Sequence, residues 1–372
     1  MHLHIILPDI PYPTRSGVDE DRYHRLQALA GIGVKLILHA FTTGREEITP
    51  ELYDLSEEVH LYPVKGGFRT PRQRLPKALH IRQHPDLLRR LCCDDVPLLF
   101  EGMASTYYLS HPEFTRRLKL VRLPRIEWQY QQFLQHFPSA PPSPSPSARE
   151  IHRWQQLEAT LPYATHLLPM SPLDEKHYRS QHPQATYLPP FHGHNRMSAR
   201  AGRGKFWLYH GDLGRADNHA AAMLLLKDVF QSLSIPLTVA GRAPQPELIT
   251  LISQMDQATL VPNPGQGQLA DLLHQAHGHV LPSFFAGGIP LKLVHSLFTG
   301  RFVVVSPQMV EQTGLAFGTH VAPSPAAMQR LVFDLWHQEF SDIDLAQRQA
   351  ALQGRLNDRQ SALYLVELIR GE

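Results

Sequence analysis

Between Lys205 and Val305 short apolar runs alternate with amphipathic stretches of helical period, and this rhythm most narrows the folds open to the chain. Runs at 205–209, 237–240, 259–261, 279–281 and 302–305 read as strands. Stretches at 217–230, 246–255, 269–276 and 290–298 read as the helices between them. Strands that each lead into a helix are joined by crossovers, so they lie parallel and need cover on both faces. The segment therefore predicts a doubly wound α/β domain.

The first half of the chain carries the same rhythm less cleanly. Strands are expected at 2–7, 34–41, 59–64, 96–100 and 119–123. A helix is expected over 19–30, where Asp19 and Glu20 sit in a first turn that favours acids and Leu26, Leu29 and Ala30 form the apolar face. Residues 137–147, which include PSAPPSPSPS, suit neither helix nor central strand and read as an exposed, partly extended loop. A further helix is expected over 151–161. The polar run 189–204, rich in Pro, Gly and Arg, is the expected boundary. The expected organisation is a first domain over 1–190 and a second over 204–345. One or two closing amphipathic helices over 346–372 would pack back on the first domain.

A chain of 372 residues with 42% apolar and 19% charged residues has enough core for two such domains. Its net charge of +2 gives no reason to expect nucleic acid as a partner. The two cysteines, Cys92 and Cys93, are neighbours, which argues against a disulfide framework and fits a reducing compartment. The N-terminus lacks a basic region and breaks at Pro8, unlike a signal peptide. No apolar run approaches the roughly 20 residues of a membrane span. The expectation is a soluble cytoplasmic protein. One local imbalance stands out: Lys65, Arg69, Arg72, Arg74, Lys77, Arg82, Arg89 and Arg90 face a single acid, Asp86. Such a stretch reads as a solvated face or as a peripheral contact with anionic lipid at the inner face of a membrane.

The sharpest local pattern is LPSFFAGGIPLKLVHSLFTGRFVVV. A strand ends at Leu281, Gly287 and Gly288 lie in the loop, and Pro290 stands where a first helical residue belongs. Glycines let a ligand approach the backbone, and a helix start favours an anion. Lys292 falls in the first turn, at the end of the dipole that disfavours a cation, and a bound diphosphate would resolve the conflict. An exposed lysine on an ordinary helix is the plainer alternative. Gly211 and Gly214 lie in the turn after the strand at 205–209, and Arg242 lies just beyond the strand at 237–240. Ligands collect at strand ends of this kind in open α/β sheets, although a tight turn and a surface arginine explain them equally.

This pattern resembles the donor-binding motif of GT-B glycosyltransferases, in particular family 4-like enzymes and a bacterial subgroup of them. That subgroup carries a Gly-Ile-x-Leu-Lys-Leu-Leu core, then Gly-Arg, then Met-Val-Glu-x-Thr-Gly-Leu. Here the run is Gly288-Ile289-Pro290-Leu291-Lys292-Leu293-Val294, then Gly300-Arg301, then Met309 to Leu315 as MVEQTGL, with Val294 the departure. FWLYHGDLGRADNHAAA from Phe206 and the first loop PYPTRSG, with Gly17, are similar to further family segments. LLFEGMASTYYL and VRLPRIEWQYQQFL resemble the subgroup's acceptor-side strand ends, which would bring Glu101, Arg122, Arg125 and Glu127 to the edge of a cleft. For each of these four a strand-end salt bridge or a helix cap is the plainer reading.

The resemblance implies two Rossmann-like doubly wound domains facing across a cleft. It implies transfer of a sugar from a nucleotide-diphosphate donor to a hydroxyl acceptor, with retention, in glycan or glycoconjugate biosynthesis, and an acceptor that is often lipid-linked. No cofactor or metal is required, and the nucleotide sugar is the donor substrate. It assigns donor binding to Gly17, Gly211, Arg242, Gly287, Gly288, Lys292, His295, Glu311 and Thr313. Glu101 and Glu127 are its candidate catalytic carboxylates. Relatives commonly carry two glutamates separated by seven residues around the donor loop; here Ala286 or Gly287 and His295 occupy those places. The usual cation six residues beyond Arg242 is Leu248. These departures keep two alternatives open: a GT-B-fold protein that binds a nucleotide or partner without turnover, and a sugar-nucleotide epimerase. The histidines at 192 and 194 and at 274, 277 and 279 lack the Cys or carboxylate partners of a metal site. Asp342 and Asp344 read as caps of the last helix.

Overall fold

The computed structural model describes residues 1–43, 48–64, 75–136, 146–352, 354 and 356–371. The expected Pro/Ser loop lies almost entirely outside them, as do Lys65, Arg69, Arg72 and Arg74 of the basic stretch. Two compact units emerge. The first comprises Met1–Gln135, Pro146–Gly193 and the end of the chain from Asn357; the second comprises His194–Leu356.

In the first unit the strands are β1 (His2–Leu7), β2 (Lys35–Thr42), β3 (Glu58–Pro63), β4 (Leu98–Glu101), β5 (Lys119–Leu123) and β6 (His166–Pro169). They form one sheet in the order β3-β2-β1-β4-β5-β6, with every pair parallel. Alternate residues of β1 serve opposite faces. Leu3, Ile5 and Leu7 pack with Leu26 and Leu29 of the helix Gly17–Gly31, whereas Ile6 packs with Phe41, Phe100 and Val121. The last helix, Asp358–Arg370, adds Ala362, Leu365, Val366 and Ile369 to the first of these clusters.

The second unit repeats the plan with β7 (Trp207–Asp212), β8 (Leu237–Arg242), β9 (Ala258–Pro262), β10 (Gly278–Leu281), β11 (Phe302–Val305) and β12 (His320–Val321). The sheet order is β12-β11-β10-β7-β8-β9, again all parallel. Counted from the first strand of each unit, both sheets place the first strand beside the second and the fourth. Strand order reverses between β1 and β4 in one unit and between β7 and β10 in the other, where ligands bind in folds of this kind.

Helix entries follow from their caps. The side chains of Ser16, Ser147, Ser171, Ser324 and Asn357 each accept a hydrogen bond from the N–H three residues on. Ser341 and Asp344 cap reciprocally at the start of the helix Asp342–Leu352, so the aspartates expected to cap the last helix start the one before it, with Asp342 inside it. Two expectations need correction. The helix expected over 217–230 is α-helical only over Ala216–Leu224 and widens to a π turn over Leu225–Val229. Pro290 is not the first helical residue but the cap of the helix Leu291–Thr299.

Candidate functional site

The β7–β10 switch point gathers most of the residues singled out by sequence. After β10 the chain passes through Gly287 and Gly288, whose φ values of 149° and 64° suit glycine, and enters the helix Leu291–Thr299 with no side-chain cap on its first N–H groups. Ser306, after β11, binds this loop at both backbone polar atoms of Ser283: its Oγ accepts from Ser283 N at 2.8 Å and donates to Ser283 O at 2.8 Å. The loops after β10 and β11 are thereby tied together. The second of them carries Glu311, which is exposed, and Gln312 at φ 50°. Thr313 follows in the same loop. It is buried, its hydroxyl donates to Val310 O at 2.9 Å and accepts from Leu315 N at 3.1 Å, and it braces the loop.

Lys292 is the centre of the site. Its side chain lies half-buried, donates to Asn218 Oδ1 at 3.0 Å and places the ammonium 5.2 Å from the centre of the Tyr209 ring. Among the described residues it forms no ion pair. Burial pushes it down to about 8; the Asp217 carboxylate opposes that shift and Arg215 adds to it. Asp217 is already bound by Arg215, at 3.1 and 2.8 Å. The Lys292–Asn218 bond joins the helices that follow β7 and β10, so it spans the switch point itself.

The paired strands β7 and β8 leave no room for a side chain at Gly241. A Cβ on Gly241 would lie 1.9 Å from Gly211 O, which requires glycine there. Asp212 and Arg242 end the two strands in register and form an ion pair of 2.8 Å at the surface. Ala243 and Asn263 carry positive φ in the loops after β8 and β9, and Asn263 Oδ1 accepts from Ala243 N at 3.0 Å. Strained turns on the ligand-bearing edge of a sheet are typical of binding loops.

His295 lies on the same helix face as Lys292, three residues on. Its Nδ1 shares a hydrogen bond of 2.8 Å with His194 Nε2, and the His194 ring is stacked on Phe298. His210, in β7, is buried and held well below the usual imidazole range by burial, helped by His279, His295 and Lys292. His277 and His279 do not converge. The first meets Leu335 O at 2.8 Å, and the second lies between Ser296 and Leu273 O.

In the first unit the expected lip of carboxylates is not what the fold builds. Glu101 is 1% exposed and both its oxygens accept from Arg25, one of them at 3.0 Å. Arg25 also binds Asp21 at 2.7 Å, and Asp21 in turn meets Arg122 at 3.2 Å and Phe191 N at 2.8 Å. Arg122, fully buried, donates to Leu188 O and Pro189 O. These groups form a buried lattice that ties β4, β5 and the first helix to the segment Leu188–Phe191. Each charge there is bonded because an unpaired charge would be costly. Glu127 is half-buried at the start of the helix Glu127–Leu134, bonded to Arg125 and Gln131, while Arg125 covers the Tyr130 ring at 3.9 Å. Gly17 opens the helix after β1, behind the Ser16 cap. Of the described basic residues, Arg82 is half-buried and donates to Pro8 O and Ala78 O, and Arg89 pairs with Asp86, so only part of that stretch is a solvated face.

Sequence reasoning missed Asn218, Asp212, Tyr209 and His194. A signal existed for Asn218, a short polar residue in the first turn of an apolar helix directly after a glycine-bearing turn. The partners of Tyr209 and His194 could not be read from spacing, because Lys292 and His295 lie on a helix far along the chain from either.

No family model matches the chain and no curated protein matches it by sequence. Solved structures do. WaaG, a glycosyltransferase involved in lipopolysaccharide biosynthesis, is 12% identical, with a TM-score of 0.65 over 100% of both chains. A variant of TarM from S. aureus, in complex with fondaparinux, α-GlcNAc-glycerol and UDP, is 7% identical, with a TM-score of 0.69 over 99% of both. HepE from Anabaena, in complex with UDP and glucose, is 10% identical, with a TM-score of 0.65 over 100% of this chain and 99% of that one. At such identities the likeness is one of fold. The chain has the α/β fold of the GT-B glycosyltransferases, with two parallel six-stranded sheets.

Proposed function

We propose that this protein is a nucleotide-sugar-dependent glycosyltransferase of the hexosyltransferase class, acting with retention on a hydroxyl acceptor in glycan or glycoconjugate synthesis. The observation that carries the reading is Lys292: a half-buried lysine without an ion-pair partner among the described residues, at a topological switch point, beside an uncapped helix start. A cation in that setting is stabilised by an anion from outside. A nucleoside diphosphate is such an anion, and it is also the leaving group of sugar transfer.

When the glycosidic bond to the diphosphate breaks, charge builds on the leaving oxygen as the sugar becomes oxocarbenium-like. Preorganised donors at that position lower the barrier. We assign this role to Lys292 and the backbone at Gly287 and Gly288, with Arg242 and the Gly211 turn at the edge of the site. His295 or Glu311 would hold the nucleoside. Glu127 stays a candidate on the acceptor side, whereas the bonding of Glu101 supports a structural role. The test is calorimetric titration of UDP into the wild type and Lys292→Ala. The expected outcome is loss of most of the affinity in the variant; unchanged affinity would remove the central claim.

A second reading is favoured by one observation. His295 stands where the resemblance expects a glutamate, and its Nδ1 is engaged by His194. A nucleotide-binding protein without turnover would keep UDP affinity and release no sugar from a panel of UDP-sugars. Conversion of the donor with no acceptor present would instead indicate an epimerase.

A further inference from the structure

Lys292 is surrounded by groups that hold it without neutralising it. Asn218 Oδ1 accepts its hydrogen bond, and the side-chain amide is locked in that orientation because Nδ2 donates to Asp212 O at 3.0 Å. The Tyr209 hydroxyl donates to Asn218 O at 3.0 Å and approaches Oδ1 at 3.4 Å. Burial raises the Tyr209 phenol well above its usual range, so it remains a neutral donor. The charged and titratable neighbours are Asp217 and Arg215 at the adjoining helix start, His210 in β7, and His295 on the same helix. The one carboxylate among them, Asp217, is engaged by Arg215. The oxygen that touches the ammonium therefore belongs to a neutral amide. An aspartate of almost the same shape at 218 would turn the contact into an internal ion pair.

We infer that Asn218 is a positioning residue that keeps Lys292 a cation without an internal counter-ion, so that the diphosphate of the bound donor supplies that counter-ion. The inference rests on the donor-site reading above. It has a consequence for protons. Where part of the Lys292 population is neutral before binding, arrival of the diphosphate favours the ammonium and a proton is taken up from solvent.

The experiment is calorimetry with UDP and with inorganic pyrophosphate as probes, on the alkaline side of about 8, in two buffers of different ionisation heat. The wild type is expected to take up a fraction of a proton with either probe. Asn218→Asp is expected to bind both about tenfold more weakly or worse, with the proton uptake abolished, because the new carboxylate competes with the ligand; losing the Nδ2–Asp212 O bond offsets the stability that the new ion pair adds. Asn218→Ala removes the tether without adding charge, so it is expected to weaken binding while retaining proton uptake. It also serves as the test if the aspartate variant does not fold. Wild-type affinity and uptake in Asn218→Asp, or loss of uptake in Asn218→Ala, would overturn the inference while leaving the donor site standing. A wild type that binds neither probe would sink the donor-site reading, and the inference with it.

Discussion

A cation has different meanings in the two units. In the proposed reading Lys292 is a charge left for a ligand, while Arg25 and Arg122 are charges consumed by the fold. Glu101 belongs with the latter: it is buried, and Arg25 is bonded to both its oxygens. Removing one partner of such a pair strands the other charge in the interior, at a cost of about 3–5 kcal/mol. Glu101→Ala is therefore expected to lose about that much stability in urea denaturation, with the proposed transferase activity per folded molecule largely kept. A catalytic carboxylate would give the reverse pattern, a stable protein with no activity.

At the scale of elements, the site depends on how close β7 and β8 can come. The strands carry Gly211 and Arg242 to the same edge, and their approach leaves no room for a side chain at Gly241. Gly241→Ala must push the strands apart at that point. Overpacking of this kind costs about 1–3 kcal/mol, and that loss is expected in thermal or chemical denaturation. UDP affinity should fall as well, because the turn at Gly211 and the Asp212–Arg242 pair shift together. An unchanged melting temperature would show that the strands have slack that the geometry denies. The Gly300-Arg301 pair of the resemblance also works at this scale. A Cβ on Gly300 would meet the His279 ring and Ser296 O, and the Arg301 guanidinium donates to His274 O and Ala276 O. This part of the motif maintains the fold around the site.

The whole molecule has an unusual dependence on neutral histidine. His4 and His39 share a 2.7 Å hydrogen bond inside the first unit, and His39 also meets the Tyr62 hydroxyl at 2.8 Å. In the second unit His210 and His279 are buried in the sheet. Burial holds His39 and His210 well below the imidazole range and His279 down to about 4. Because these folded values are depressed, the unfolded chain binds more protons between the folded values and the ordinary 6.5. Their contribution is complete above that range and is lost as the pH falls through it. Each such histidine removes up to about 1.4 kcal/mol per pH unit in the window. Melting temperature is thus expected to fall steeply from neutral pH toward about 4. His279→Gln should reduce the slope, and a flat profile would refute the account.

Hydrophobic period and turn chemistry are local properties, so the features built on them were determined by the sequence alone. These are the alternating strands and helices, the parallel sheets, β5 and β11 to within a residue, and the glycine-bearing loop before Lys292. Brief elements were beyond that signal. β12 has two residues, too few to establish a period, and β6, His166–Pro169, opens on a histidine and closes on a proline, which leaves only two apolar residues to mark it. The division of charges was decided only by tertiary structure. Glu101 and Lys292 look alike in sequence, each charged and each at an element's end. An arginine from the first helix binds Glu101 into the fold, whereas the helix after β7 gives Lys292 a neutral amide. Burial makes an unbonded polar group costly, so most find a partner, and the sequence does not say which distant segment supplies it.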